Sequence, residues 1–379
     1  MRGMMRLALL GVPGAQRGGG IRWSLKASFE GVDIAAGDMP ASLGKPYVEV
    51  GGPVAIYPGD PPGAAEISVA SGELVITKAA NSSKGHAAGP AFARAPGLTM
   101  FVDARYIAGD RRARGGWGTL ATALPASAAF YWTPGNTLGF YPNAVSVELP
   151  LGDGRYAVTL FETGAAFFAV RSGVWTLTWL DDTNTDATLY PAVGAHQGTD
   201  GGTYAWDNWF VRGLPAPFTD AALLTVVNEA TPVSGQPYTA TADAIHDLTV
   251  TAPNPLTGEC ALEYRVTDDD NKWRAYFNDS GAFRLDSVLA GTPTNRINVA
   301  GAIAAGETRT IRVWTYGSLH NCYTRAGITT DWTKRGSGIN LSHQNTATTI
   351  KPVAGAGWVL GALRSYPTTS PAYAELDRT

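Results

Sequence analysis

The sequence predicts an all-β protein made of two tandem β-sandwiches behind an extended N-terminal arm, and three observations carry that prediction. Its 379 residues exceed one ordinary hydrophobic core and suit two domains. The 45 glycines and 24 prolines, against only 16% charged residues, leave little room for long helices and demand frequent turns. Apolar and aromatic residues recur with a period of two, in short runs bounded by turn formers.

The arm comes first, over residues 1–22. Met1 to Val12 sets basic residues before a short apolar run, as a secretion signal does, but Pro13 and Gln16-Arg17 stand where a small-residue cleavage site belongs. The segment therefore reads as a flexible or docking arm, detached from the first strand by Gly18-Gly19-Gly20.

The first sandwich is expected over 23–213, opening with the alternating run Trp23 to Glu30. The Gly/Pro-rich stretch through Pro61-Pro62-Gly63 reads as irregular, and Gly72 to Lys78 as a strand after a turn. In Leu98 to Tyr106, Met100, Val102, Ala104 and Tyr106 share a core face while Thr99, Asp103 and Arg105 face water. Further strands are expected at Phe130–Trp132, Leu138–Tyr141, Val145–Leu149, Arg155–Phe161, Ala166–Val170 and Trp175–Trp179, with Trp175, Leu177 and Trp179 in the core. Arg111 to Gly118 reads as a basic, solvated loop. Tyr204 to Arg212 is the closing strand, stopped by the Gly213–Pro217 hinge, so a linker is placed at 214–218.

The second sandwich, 219–379, repeats that order in shorter form. Strands are expected at Leu248–Thr251, Cys260–Val266, Lys272–Phe277, Ala282–Leu289, Thr308–Tyr316 and His320–Arg325. Pro352 to Gly357 precedes a closing strand at Ala372 to Arg378 much as Pro191 to Ala195 precedes Tyr204, which suggests duplication and pairs Asp207 with Asp377.

Several function classes find no footing. A formal charge of -3 gives no global attraction to nucleic acid or to an anionic membrane, and no apolar run approaches the ~20 residues that span a bilayer, so a soluble chain is expected. The five histidines are scattered, and Gly-x-Ser-x-Gly, His-Glu-x-x-His and phosphate-loop motifs are missing. Cys260 and Cys322 fit either one disulfide or two buried free thiols. Asn81-Ser82-Ser83 matches a glycosylation sequon that means nothing without secretion.

The run Leu262-Glu263-Tyr264-Arg265-Val266-Thr267-Asp268, followed by Asn271 to Phe277 and by Gly281 to Val288 with Gly291, resembles the concanavalin A-like lectin/glucanase (laminin-G-like) domains. Phe29-Glu30-Gly31-Val32-Asp33 and Trp206 to Arg212 are similar to the opening and last strands of such domains in phage and prophage proteins. The resemblance implies jelly-roll sandwiches and a virion, tail or cell-surface setting. Glucanases of this type use Glu-x-Asp-x-x-Glu on one strand, because retaining hydrolysis needs two carboxyls about 5–5.5 Å apart. Glu375-x-Asp377 lacks the third member, so no catalytic residue is assigned, and a glycan-active hydrolase stands as the alternative.

Binding residues are sought on sheet faces, where aromatic rings can stack on a sugar and polar groups can pair with its hydroxyls. The face opposite Ile311 and Val313 carries Arg312, Trp314 and Tyr316; those opposite Trp273 and Phe283 carry Arg274, Tyr276, Arg284 and Asp286. An Arg/aromatic surface of this kind suits a glycan, a protein interface or ordinary solvent cover. No resident cofactor is expected. Calcium is the one inorganic candidate, through Asp182, Asn184 and Asp186, although the loop has Ala187 where an EF-hand needs glycine. A solvated turn explains the same residues, as it does Asp268 to Asn271.

The resulting expectation is a non-enzymatic structural or adhesion component of a phage-type virion, or alternatively of a bacterial cell surface, in a homo-oligomer. Its partners would be other particle proteins and a host glycan.

Overall fold

The computed structural model describes residues 23–58, 65–78, 85–109, 113–132, 137–141, 145–147, 154–195, 201–214, 227–327, 331–341 and 343–377. The arm, the 215–218 part of the linker, the Asn81 sequon, and Arg111 and Arg112 lie outside them.

The described residues form four antiparallel sheets, two in each half. In the first half, one sheet runs Val174–Asp181, Ala165–Arg171, Gly154–Leu160, Leu98–Gly109, Gly202–Gly213, Trp23–Ala27 and Val48–Val50. Its partner runs Val145–Val147, Leu138–Tyr141, Ala128–Trp132, Ala113–Gly118, Thr188–Ala195, Gly85–Ala88, Val54–Tyr57 and Ser42–Leu43. Inward side chains of both fill the core: Phe130 stacks on Tyr156, Trp132 on Trp206, and Phe140 on Trp179. The Gly/Pro-rich stretch before residue 58 is thus less irregular than expected, since it holds three short strands. Ala113–Gly118 is also a strand, not a solvated loop, because pairing on both sides with Ala128–Trp132 and Thr188–Ala195 overrides its poor strand propensity.

Within the strand Gly202–Gly213, Trp206 and Trp209 are both fully buried although three residues apart. Strict alternation would place them on opposite faces. Asp207 pairs with Asp103 and Phe210 with Phe101, so Asn208, left-handed at φ 47°, and Trp209 together oppose Val102 in a bulge that returns Trp209 to the core. Asparagine tolerates this conformation better than most residues.

In the second half, one sheet is ordered Val227–Glu229, Val359–Pro367, Ala244–Thr251, Thr308–Tyr316, Leu319–Ala326 and Thr333–Asn340. The other is ordered Tyr238–Thr239, Thr349–Ala354, Cys260–Asp268, Asn271–Phe277, Phe283–Leu289 and Thr292–Val299. Leu248, Leu262, Trp273, Phe277, Phe283, Ile311 and Val313 meet between them. Cys260 and Cys322 are free, buried thiols on opposite sheets; burial pushes Cys260 up to about 12 and raises Cys322 as well.

The closing strand of the second half is Val359–Pro367, not Ala372 to Arg378. It pairs with Ala244–Thr251 and Val227–Glu229, as Gly202–Gly213 pairs with Leu98–Gly109 and Trp23–Ala27, so each sandwich joins its last strand to its first. Pro371–Asp377 is instead a 3-10 helix. Tyr373 and Leu376 lie one such turn apart, and both are buried. The Tyr373 ring packs edge-on to Phe168 of the first sandwich. Asp377 is therefore no strand counterpart of Asp207.

Candidate functional site

The sheet that contains Asn271–Phe277 turns one face to the core and the other outward. Cross-strand register fixes the outward rows. One row reads Lys351, Glu263, Arg274, Asp286 and Asn295; the next reads Val353, Ala261, Tyr276, Arg284 and Asn298. Charge alternates along the first row, the arrangement that favours cross-strand pairs.

Glu263, only 3% exposed, collects three cations: Lys272 at 3.0 Å, Arg274 at 3.1 Å and Lys351 at 3.2 Å. Arg274 also pairs with Glu259. Burial works against its charge, but Glu259 and Glu263 prevail and hold its pKa above the ordinary arginine value. Lys351 is raised chiefly by its hydrogen bond to Asp269, with Glu263 adding to it. Asp286 accepts from Tyr276 Oη at 2.7 Å and from Asn295 Nδ2 at 2.8 Å. Burial and then this bond to Asp286 raise the Tyr276 pKa, so the phenol stays a donor. Guanidinium groups flank the Tyr276 ring, Arg274 at 4.8 Å and Arg284 at 5.7 Å from its centroid. The result is an ordered polar face whose ring and inner acid are covered: Tyr276 and Asp286 are each 4% exposed, while Arg274, Arg284 and Asn295 reach the surface, and each acid is held by a cation or a neutral donor.

Arg274, Tyr276 and Arg284 are thus brought together as the sequence suggests. Glu263, Lys272, Asn295 and Lys351 complete the face; the sequence signal for them is their position in register with Arg274, which the strand pattern alone does not supply. Arg312, Trp314 and Tyr316 are elsewhere. They share a face, as expected, but it is the outer face of the other sheet, and that face packs on the first sandwich. Arg312 is 1% exposed, holds Asp247 with two bonds of 2.7 and 2.8 Å, and donates to the Leu180 carbonyl at 2.7 Å. Its guanidinium lies 4.7 Å from the Trp179 ring and 4.1 Å from Trp332. Trp314 is fully buried and Tyr316 half-buried there. These residues hold one sandwich to the other, so they do not belong to an open ligand surface.

Asp182, Asn184 and Asp186 do not converge. Asp182 faces Arg325; burial would raise its pKa, but the Arg325 hydrogen bonds and the nearby Arg312 charge lower it. Asn184 accepts from Arg94 and donates to the Ser127 carbonyl at 2.9 Å, while Asp186 accepts from Ser127 and Asn184. Among the described residues no group of three His, Cys, Asp or Glu is placed to hold a metal ion. Asp268 caps its own turn, accepting from the Asp270 backbone and from Asn271. Of Glu375 and Asp377, only the backbone is described, and it is helical.

No protein-family model and no curated protein matches the chain. Among solved structures, an endo-acting O-glycanase of the human gut microbiota is similar over 51% of this chain and 100% of its own, at 14% identity and a TM-score of 0.36. The galectin LEC-6 of Caenorhabditis elegans aligns over 36% of this chain and 94% of its own, at 11% identity and a TM-score of 0.30. The carbohydrate-binding module CBM66 of Bacillus subtilis aligns over 36% and 84%, at 12% identity and a TM-score of 0.29. The assignment of sandwiches rests on the strand pairing itself.

Proposed function

We propose that the protein is a non-enzymatic glycan-binding protein whose ligand lies on the Tyr276 face of the second sandwich. One observation carries the reading: cross-strand bonds hold Arg274, Tyr276, Asp286 and Asn295 in place, and Arg274, Arg284 and Asn295 reach the surface of that ordered array. A sugar needs directional partners for its hydroxyls, and an array ordered beforehand pays less conformational entropy on binding. The acids of the face are tied to cations or neutral donors, which suits holding a ligand better than transferring protons to it. Shallow sheet-face sites bind weakly one at a time, so a homo-oligomer would raise avidity.

The setting we propose is a phage-type particle, with a bacterial surface as the alternative; its support is the resemblance of the strand motifs. A glycan array probed with the full chain tests the ligand class, and binding confined to non-glycan controls would end that reading. Mass spectrometry of purified particles tests the setting: stoichiometric copies are expected, and their absence from particles of the source phage rejects it.

A further inference from the structure

The outward face carries four cations around Tyr276, and three of them are spent. Lys272, Arg274 and Lys351 share Glu263, Glu259 and Asp269. Arg284 differs. Among the described residues it meets no carboxylate; its partner is the Tyr276 ring, and its Nε is enclosed with no hydrogen-bond acceptor. The acid two residues along its own strand, Asp286, uses both oxygens on Tyr276 and Asn295. Arg284, partly exposed, is therefore the one cation of these four without a carboxylate; Glu263 Oε2 also lacks a hydrogen-bond donor, but Lys351 lies 3.2 Å from it. An enclosed donor without an acceptor is costly, and a planar guanidinium carries five N–H donors and no acceptor of its own.

Resting on the glycan-binding reading, we infer that the ligand is an acidic glycan whose anionic oxygen group, a sugar carboxylate or a sulfate ester, is taken by Arg284. A neutral hydroxyl satisfies one N–H and asks for an acceptor in return. A carboxylate or sulfate presents two or three acceptor oxygens and asks for none, which matches what Arg284 offers. Asn298 lies opposite Arg284 in register, on the exposed edge strand Thr292–Val299, so the approach to the fork is from solvent. Tyr276 supports the guanidinium from one side, and a ring beneath an arginine favours its charged, ordered form.

The test is titration calorimetry of the full chain against three probes: an oligogalacturonate, its carboxyl-reduced neutral counterpart, and a sulfated oligosaccharide of similar length. The uronate or the sulfated probe is expected to bind at least about tenfold tighter than the neutral one. That advantage should shrink as salt rises from about 0.05 to about 0.5 M, because an exposed ion pair is screened. The uronate and sulfated arms identify which anionic group is preferred. Arg284→Gln should abolish the advantage while leaving the thermal melt unchanged, and Arg284→Lys should keep part of it. Equal binding of neutral and acidic probes, or an advantage untouched by Arg284→Gln, overturns the anionic assignment and leaves glycan binding standing. Failure of every glycan, on this panel and on the array, removes both.

Discussion

Arg325 of the second sandwich grips Asp182 of the first with two hydrogen bonds, 2.6 and 2.5 Å long. The same guanidinium lies 4.5 Å from the Trp332 ring, which Arg312 approaches from 4.1 Å. Two arginines therefore share one tryptophan, and each reaches the other sandwich: Arg312 through the Leu180 carbonyl, Arg325 through Asp182. Tyr323 adds a 2.7 Å bond to the Ser146 carbonyl, and its ring stands edge-on to Trp179. The positive charge beside Asp182 is thus supplied by Arg325 and Arg312.

Removing Arg312 tests the weight of this junction. Arg312→Met leaves Asp247 buried without its counter-charge and Leu180 without its donor, so a loss of about 3–5 kcal/mol is expected in chemical denaturation. Adding Asp247→Leu to Arg312→Met should recover much of that loss, because an apolar pair often replaces a buried ion pair at little cost. A double variant as unstable as the single one would show that the Leu180 contact, not the ion pair, dominates.

The C-terminal segment makes a second link. Tyr373 is 1% exposed, packs on Phe168 and donates to the Pro367 carbonyl at 2.7 Å; the Leu177 amide donates to the Thr368 carbonyl at 2.7 Å. Tyr373→Ala should cost about 3–5 kcal/mol, the range for truncating a large buried side chain. A fragment ending at Gly213 lacks both links and leaves Trp179 without Tyr323 and Trp332, so it should melt below the full chain. Equal melting temperatures would mean that the sandwiches are energetically independent.

Legibility in the sequence followed the range of the interactions. Strand alternation was enough to sort Arg274, Tyr276 and Arg284 from Trp273, Phe283 and Leu285, because that choice is local. It sorted Arg312 and Trp314 from Ile311 and Val313 equally well, yet could not say what covers them. Arginine, tryptophan and tyrosine suit a solvent face, a ligand face and an interface alike. Ala113–Gly118 was illegible as a strand because glycine and arginine carry little strand preference and only its two neighbours impose the conformation. The Asn208–Trp209 bulge was written in the odd spacing of Trp206 and Trp209, a local signal that alternation alone misreads. Pro371–Asp377 looked like a strand through its spaced apolar residues, but Tyr373 and Leu376 are three apart, the period of the 3-10 turn it adopts.

Acid should weaken the second sandwich in a defined window. His246 is fully buried and lowered to about 3 by desolvation and then by the Arg265 charge; His320, stacked on Trp273 and bonded to Tyr264, is lowered to about 3 for the same reasons. Both pKa values lie below that of an unfolded histidine, so the unfolded chain takes up protons first and stability falls as pH drops from about 6.5 toward about 3. Each histidine contributes a slope of up to about 1.4 kcal/mol per pH unit. Asp207 works in the opposite sense: burial, and then Asp103 and other nearby acids, raise it to about 6. Its stabilising share is complete below the unfolded value near 4 and is lost as pH rises through 6. Denaturation curves from pH 4 to 8 should therefore show a net decline toward acid, and Asp207→Asn should raise stability mainly above pH 6. A flat profile would contradict the histidine assignment.

The ligand face and the junction should separate cleanly in binding. Asp286→Asn preserves shape but removes the charge that orders the Tyr276 hydroxyl and Asn295, and Tyr276→Phe removes the donor itself. Both groups are buried and bonded to each other, so each change loosens the array beneath Arg274 and Arg284 and should weaken glycan binding by up to about tenfold. Trp314→Phe, on the face pressed against the first sandwich, should lower the melting temperature and leave affinity alone. The reverse pattern, with affinity lost at Trp314 and kept at Asp286 and Tyr276, would move the ligand to the junction and away from the Tyr276 face.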